Sequence, residues 1–519
     1  MNILATLLLG ARDHLGAGLL ILALFPAAAS AQSSTSPTLI AAADEPPASA
    51  APGRAAALAP APDSLAIGIY SRLTTAGSTV DQSSAGDTTT AAGSPQRATG
   101  AGTNPTVHTG QFYSGLLQQQ ILGLRPDAPI TLGGIAVIGG NWLASGGLKP
   151  QTTTADFVLG VGAMADMERL LHIPGSSLYV SFLDYQGGKT NQVAGSMQIY
   201  DGLTPTNHFS RQEHYELWWQ QRLFNDRLVV KIGKLQSNGE FLTQFCGPVL
   251  LPRSDNKPDL SSMGCYLPWG AWANPTLYGK LPFFPETVWG ATIKFQPMIN
   301  AYVKYGVFDG NGATGVETGL RTWPKINSYK FHIGEIGYSW LLGDEGKPGQ
   351  FGAGVWGQTG ALAGPDNILQ NGATGFYAFA SQRLWYQHPG IDPSGPIGWF
   401  QFGYTNSLTN LARRYVGVGV TTTVPGMVIP YDLVTVGLAW SKLNPGASSG
   451  SFFFPNVPAS YLNSIALRSS ELMMQAGYQL TLVPSLLALQ ATYTAIPTPG
   501  ARPGIPWANA FTIRTTIIF

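Results

Sequence analysis

From residue 130 to the C-terminus, apolar side chains recur at every second position in blocks of roughly ten residues, with Gly, Pro, Asn and Asp in the gaps. Successive side chains of a strand point to opposite sides, so this period predicts strands with two different faces. Sixteen blocks are predicted: Ile130–Leu143, Thr154–Ala163, Ser177–Gln186, Glu213–Leu223, Arg227–Leu235, Thr287–Gln296, Ile299–Phe308, Phe331–Trp340, Gln350–Thr359, Gly375–Tyr386, Ile397–Asn406, Arg413–Val424, Asp432–Lys442, Ser470–Thr481, Leu486–Ala495 and Asn509–Phe519. Even-to-odd links are tight at Phe224-Asn225-Asp226, Pro297-Met298 and Leu482-Val483-Pro484-Ser485, whereas the odd-to-even links 187–212, 236–286, 309–330 and 443–469 are long. An even strand count with short and long connections in alternation predicts an all-β fold, a transmembrane antiparallel β-barrel of 16 strands with long outer loops. Two links depart from the alternation: 164–176 is a longer inner link, with Met164 to Leu171 read as a helical turn or two, and 407–412 is a short outer one.

The faces set the register. In the fourth block Tyr215, Leu217 and Trp219 share one side, and His214, Glu216, Trp218, Gln220 and Arg222 the other. Arg or Lys facing lipid at mid-membrane costs about 2–4 kcal/mol, so the first set is expected to face lipid and the second a wet lumen. Phe157, Leu159 and Val161 point outward by the same rule, and Glu471, Gln475 and Gln479 inward. The last block places Phe511, Ile513, Thr515, Ile517 and Phe519 on one face, ending in an aromatic residue. That ending resembles the C-terminal pattern which outer-membrane barrels present to their assembly machinery, making Phe519 the expected contact.

Composition agrees. Charged residues are 11% of 519, where soluble domains carry about 25%, while the mean hydropathy is only +0.07. A surface so poor in charge is unlike that of a cytosolic enzyme. The net charge of +1 leaves no surplus to neutralise phosphates, so no nucleic-acid partner is expected. No apolar run long enough for a transmembrane helix occurs beyond the N-terminus.

Residues 1–31 read as a signal peptide: Arg12, an apolar stretch from Leu15 to Phe25, and Ala29-Ser30-Ala31 as a small-x-small cleavage site. The alternative, a membrane anchor, is opposed by the shortness of the run and by Pro26. Residues 32–110 are rich in Ala, Ser, Thr and Pro and are read as a disordered segment before the barrel of 111–519. Cys246 and Cys265, the chain's two cysteines, are expected to form a disulfide in an exported protein, two free thiols being the alternative. Both lie in the longest connection, 236–286, with Phe241, Phe245, Trp269, Trp272, Tyr278, Phe283 and Phe284. Burial of so many aromatic rings calls for folding into the bore, which it would narrow, or packing on a neighbouring subunit. The chain is expected to act as a monomer or a homotrimer.

Lumen charges of both signs follow from the register. Glu216, Glu335 and Glu471 stand against Arg222, Lys231, Lys294, Lys304 and Arg514, with Trp218 beside them. Carboxylates and guanidinium groups hydrogen-bond hydroxyls, and an indole offers an apolar face to a sugar ring. These nine residues are the candidate pore-lining contacts for neutral polyhydroxylated solutes; the alternative is that they pair across strands to hold the wall. A pore selective for one ion sign would bias its rings to one charge.

The stretch YELWWQQRLFNDRLVVKIGKLQSNGEF from Tyr215, then LPFFPETVWGATIKFQP and AYVKYGVFDGNG, resemble the carbohydrate-selective porins of the OprB-like family, as do Glu471–Tyr478, Tyr493–Pro497 and Ala510–Phe519. The resemblance spans 111–519. It implies a sixteen-stranded outer-membrane porin for passive diffusion of mono- or small oligosaccharides into the periplasm, with no cofactor. The chain departs from the family at its opening DWGG-x-R block, replaced here by Gln118–Arg125, and at a fifth-strand Arg, replaced by Lys231. Lys is a point charge rather than a bidentate fork. The rival functions are a component supporting polysaccharide export and a general diffusion porin. No nucleophile elbow or metal-ligand spacing marks an enzyme.

An epitope inserted near Gly315 or Ala447 is expected to be accessible on intact cells, and one at Asn225 inaccessible. Surface labelling at Asn225 would overturn this topology.

Overall fold

The computed structural model describes residues 116–519, apart from 126, 189, 204–209, 243, 245–273, 278–279, 282–285, 299, 315, 364–368, 390–393, 411, 426–430, 445–469 and 484–485. The expected signal segment and linker, Cys246, Cys265 and most of the loop aromatics lie outside the described residues. Sixteen strands form: β1 Ile130–Ser145, β2 Thr152–Asp166, β3 Ser176–Gln186, β4 Ser210–Leu223, β5 Leu228–Leu235, β6 Val288–Met298, β7 Ala301–Asp309, β8 Lys330–Leu342, β9 Lys347–Ala363, β10 Leu369–Arg383, β11 Ile397–Thr405, β12 Ala412–Pro425, β13 Tyr431–Leu443, β14 Ser470–Val483, β15 Leu487–Ile496 and β16 Ala508–Ile518. Each pairs antiparallel with its chain neighbours, and β1 pairs with β16 to close the barrel. Closure leaves no unpaired sheet edge, the condition for a sheet to sit in hydrocarbon. Phe519 takes part: its N–H donates to the Gly134 carbonyl at 2.9 Å and its carbonyl accepts the Gly134 N–H at 2.8 Å.

The alternation sorts by face. Ile138, Ile232, Val303, Ile336, Val355 and Val436 are exposed on the outside, each flanked by buried neighbours on its strand. Aromatic rings collect near the ends: Trp142, Phe511 and Tyr493 pack together at one end, and Tyr338 stacks on Trp340 at the other. This is an apolar belt with aromatic rims. The tight turn after β4 holds Phe224, Asn225 and Asp226 all at left-handed φ between 54° and 63°, a conformation that Asn and Asp tolerate and Phe rarely adopts.

Residues 164–176 divide between the end of β2, the short helix Met167–Leu171 capped by Asp166, and the loop that follows. The helical turn in Leu116–Ile121 was not expected; there the Gln118 side chain accepts the Leu132 N–H at 3.0 Å and donates to the Arg125 carbonyl at 2.7 Å, tying the segment to the start of β1.

One expectation fails. Val180 pairs with Leu217 but Phe182 pairs with His214, so a β-bulge sets Tyr215 and Glu216 together against Ser181. The Glu216 N–H is satisfied by Ser181 Oγ at 3.1 Å. Past the bulge the faces exchange: Tyr215 is buried inside at 2% exposure and His214 faces out, the reverse of the simple period. Below it Glu216, Trp218 and Gln220 face inward as expected.

Val355→Arg, at the middle of β9 on the outer face, should cost about 2–4 kcal/mol of stability in lipid vesicles by urea titration. An unchanged midpoint would show that Val355 does not face lipid.

Candidate functional site in the barrel lumen

A single line of directly opposed residues crosses the inner wall. It runs Arg222, Val229, Lys294, Lys304, Glu335, Gly354, Tyr377, Gly403, Tyr415, Ser441 and Glu471, from β4 to β14. Arg222 lies beside the tight turn after β4, and Glu471 follows the long connection before β14. The line therefore climbs from one rim to the other, as strand tilt in a closed barrel requires. Five of the nine candidate residues fall on it.

Glu335 is the hub of this wall. It accepts hydrogen bonds from Tyr302 OH at 2.9 Å, Tyr377 OH at 2.8 Å and the Leu242 N–H at 2.8 Å, and lies 3.3 Å from Lys304 Nζ. Glycines let both tyrosines reach it. A Cβ on Gly337 would stand 2.1 Å from the Tyr302 ring, and one on Gly354 2.3 Å from that of Tyr377. The rings lie flat against bare backbone and deliver their hydroxyls to one carboxylate.

The long connection after β5 is seated on the same wall. Its short helix, Ser237–Glu240, brings Glu240 Oε1 to 2.5 Å from Lys231 Nζ, and the Glu240 carbonyl accepts from Lys304 Nζ at 3.0 Å. Lys231 Nζ stands 4.3 Å from the Trp218 ring centroid, and that ring stacks on Tyr179 at 5.2 Å. Glu216 accepts the Gln236 N–H at 3.2 Å. Further on, Phe241 packs edge-on against Phe308, Gln244 donates to the Phe400 carbonyl at 3.0 Å, and Asn274 donates to the Phe402 carbonyl at 3.1 Å from a place over Gly403. The described parts of this connection, with Phe241 as the one described aromatic of the seven, thus fold into the barrel.

Glu471, at the far end of the line, and Arg514, off it, serve a different connection. Glu471 accepts from Ser196 Oγ at 2.7 Å, the Met197 N–H at 2.9 Å, the Gln198 N–H at 2.8 Å and the Gly500 N–H. Arg514 pairs with Asp201. Both therefore hold the connection after β3, which also folds inward: Tyr200 OH donates to Asn141 Oδ1 at 2.9 Å, and its carbonyl accepts from Gln475 at 2.7 Å. Trp218 is 1% exposed, with its faces occupied by Tyr179 and Lys231. Arg222 stays partly open at the rim, its side chain 29% exposed and 3.6 Å from Asp226.

Sequence reading missed a buried triad near the opposite rim. Arg211 contacts Glu213 at 3.1 Å and Glu286 at 2.5 Å, and Glu286 also accepts the Gly319 N–H at 2.9 Å. Arg211 and Glu213 alternate with Tyr215, which was the available signal; the bulge that turns all three inward was not visible in the period.

Comparison with known proteins places this geometry. A family model described as carbohydrate-selective porin, OprB family, matches residues 151–519. The high-pH structure of Pseudomonas putida OprB superposes with a TM-score of 0.63 at 16% identity, covering 78% of this chain and 97% of that one. Its low-pH structure gives a TM-score of 0.45 at 13% identity, covering 78% and 96%. A loop-deletion mutant of OmpT from Vibrio cholerae gives 0.41 at 12% identity, covering 75% and 98%. At these identities the structural likeness concerns the fold alone. No curated protein sequence matches the chain.

Glu471→Ala should release the connection after β3 while leaving the strand ladder closed. A hydrogen bond to a charged group contributes about 1.5–3 kcal/mol, so losing this four-donor acceptor weakens the seat of residues 196–198 by several times RT. Single-channel conductance is expected to rise and a protease to cut within 190–203; unchanged conductance and protection would show that Glu471 does not hold it.

Proposed function

The chain belongs to the OprB family of carbohydrate-selective porins, and from that premise we propose that sugars cross it by passive diffusion along the wall of β4 to β8, exchanging water for side-chain contacts as they go. It is an outer-membrane channel for carbohydrates, and its family and fold are those of a channel rather than an enzyme. The finer reading concerns solute size and residue roles. With two connections folded inward, the route suits mono- or small oligosaccharides. The observation that carries the reading is the mixed sign of this wall, where Lys231 and Lys304 are each matched by Glu240 or Glu335 within 3.3 Å. Paired charges give a solute both donors and acceptors for hydroxyls without the one-sign field that sorts ions.

The nine candidate residues then divide by role. Glu216 and Arg222 keep exposed surface and are the proposed sugar contacts. Lys231, Lys304 and Glu335 hold the narrowing connection in place, and Trp218 holds Lys231. Glu471 and Arg514 position the second inward connection. Lys294 stands buried on the same wall, opposite Lys304. Each sugar contact must be weak, since a conducting site releases its solute, and binding near 1 mM corresponds to about −4 kcal/mol. Phe519, paired to β1, is the proposed point of recognition by the barrel assembly machinery.

Liposome swelling tests the selectivity: sugars should enter faster than amino acids of similar size, and equal rates would make this a general diffusion porin. In planar bilayers sugar should block the ion current, and Glu216→Gln and Arg222→Ala should each weaken that block several-fold, about 1 kcal/mol per lost contact. Variants that alter conductance but keep the full block would remove these two residues from the sugar path.

A further inference from the structure

The outward face of the wall carries a basic patch that the sugar route does not use. The inward residues Ala412 and Tyr415 of β12, both fully buried, stand three apart, where a regular strand would place them two apart. A β-bulge between Ala412 and Arg414 supplies the extra residue and leaves both Arg413 and Arg414 on the outward side, the first half-buried and the second exposed. Arg414 stands directly opposite Lys442 of β13, also exposed, and opposite Tyr404 of β11 on its other side. Like charges opposed across two strands destabilise the pair. None of the three cations is paired with a carboxylate among the described residues, and the adjoining connections, 406–411 and 444–469, contain no Asp or Glu. What lies beneath the patch fixes its height. Val416 faces Trp440, Val418 faces Leu438 and Val420 faces Val436, all outward. Phe376 packs beside them on Phe402 at 5.6 Å and on Tyr404 at 5.4 Å. Aliphatic side chains mark the hydrocarbon, and Trp440 and Tyr404 mark its aromatic rim. The cations stand one step beyond that rim, at the headgroup level, on the side of the outer connections.

We propose that Arg413, Arg414 and Lys442 bind the phosphate of an acylated, phosphorylated glycolipid in the outer leaflet, seating this side of the barrel against its lipid. The inference goes beyond the sugar-channel reading and does not depend on it. The side chains select the anion: a guanidinium fork matches two phosphate oxygens, and the lysine opposite adds a point charge from the next strand. A phosphate set between Arg414 and Lys442 turns an unfavourable cation pair into two favourable contacts. An exposed basic cluster at headgroup level is a surface that recognises anionic lipid. The acyl chains run along the aliphatic strip that begins at Val416 and Trp440. Those chains hold the phosphate at this height, so it meets the cations at an effective concentration that a free anion lacks.

The test is native mass spectrometry of the purified porin in detergent micelles, titrated with phosphorylated lipid A, with the same lipid stripped of its phosphates, with phosphatidylglycerol and with inorganic phosphate. Phosphorylated lipid A should bind, and the stripped form should bind at least about tenfold more weakly. At low salt R414Q and K442Q should each weaken binding about fivefold, and R413Q/R414Q/K442Q together about a hundredfold. K347Q, at the inner turn after β8, should leave it unchanged. Equal binding of the two lipid A forms, or a triple variant that binds like the wild type, overturns the inference. If phosphatidylglycerol binds as tightly, the face is a general anionic-lipid surface and the glycolipid assignment is wrong. If inorganic phosphate displaces the lipid at equal concentration, the patch is a simple anion site and the assignment is again wrong. The wild-type comparison of the four probes is independent of whether any variant folds. Sugar flux is not its readout, so its failure leaves the sugar channel standing.

Discussion

Everything in this molecule follows from the need to satisfy each backbone N–H and C=O without water. Hydrocarbon offers no partner, so a sheet in the membrane must close on itself. Here the closing ladder is β1 against β16, ending in the reciprocal bonds between Phe519 and Gly134. Once the wall is a cylinder, its strands tilt, and opposed residues form lines that climb from one rim to the other. The line from Arg222 to Glu471 is one of these, and it gathers charges from strands far apart in sequence onto one path.

Closure also creates an inside that must be filled without being sealed. Two connections fold inward, and their seats follow one design. Small residues on the wall leave bare backbone, and aromatic rings or loop residues occupy the space: Tyr302 over Gly337, Tyr377 over Gly354, Asn274 over Gly403. The buried carboxylates Glu335 and Glu471 then fasten loop backbone by accepting N–H groups from Leu242 and from Met197 and Gln198. A carboxylate with several donors is well matched to this task, since the partnered charge no longer carries the full cost of desolvation. The described parts of both connections are therefore pinned to the wall, and many of the wall's charges are occupied by that work.

How much of this was legible beforehand differs between fold and site. All sixteen strands were readable, and most bounds agree within three residues, because lipid on one side and a wet lumen on the other impose a period of two that survives without any knowledge of neighbours. The inward placement of Lys231, Lys294, Lys304, Glu335, Glu471 and Arg514 was readable for the same reason. Tyr215 and His214 were misplaced because a bulge adds one residue to one strand and reverses the faces beyond it. The triad of Arg211, Glu213 and Glu286 went unseen, since it depends on that bulge and on the return of a connection more than sixty residues away.

The sequence by itself determined that this chain is a sixteen-stranded barrel and, outside the bulged part of β4, which faces are wet and which way the strand charges point, because these depend only on local alternation and the cost of charge in lipid. What each inward charge does was decided by the tertiary structure alone. Glu335 and Glu471 look alike in the strand pattern, yet one joins two tyrosines, a lysine and the connection after β5, and the other clamps the connection after β3. Lys231, Lys294 and Lys304 are equally inward, and the folded loop gives acceptors to Lys231 and Lys304 while Lys294 has none among the described residues. Pairing is a property of distance in space, and a closed barrel with loops returned into its bore sets those distances through contacts that no single strand contains.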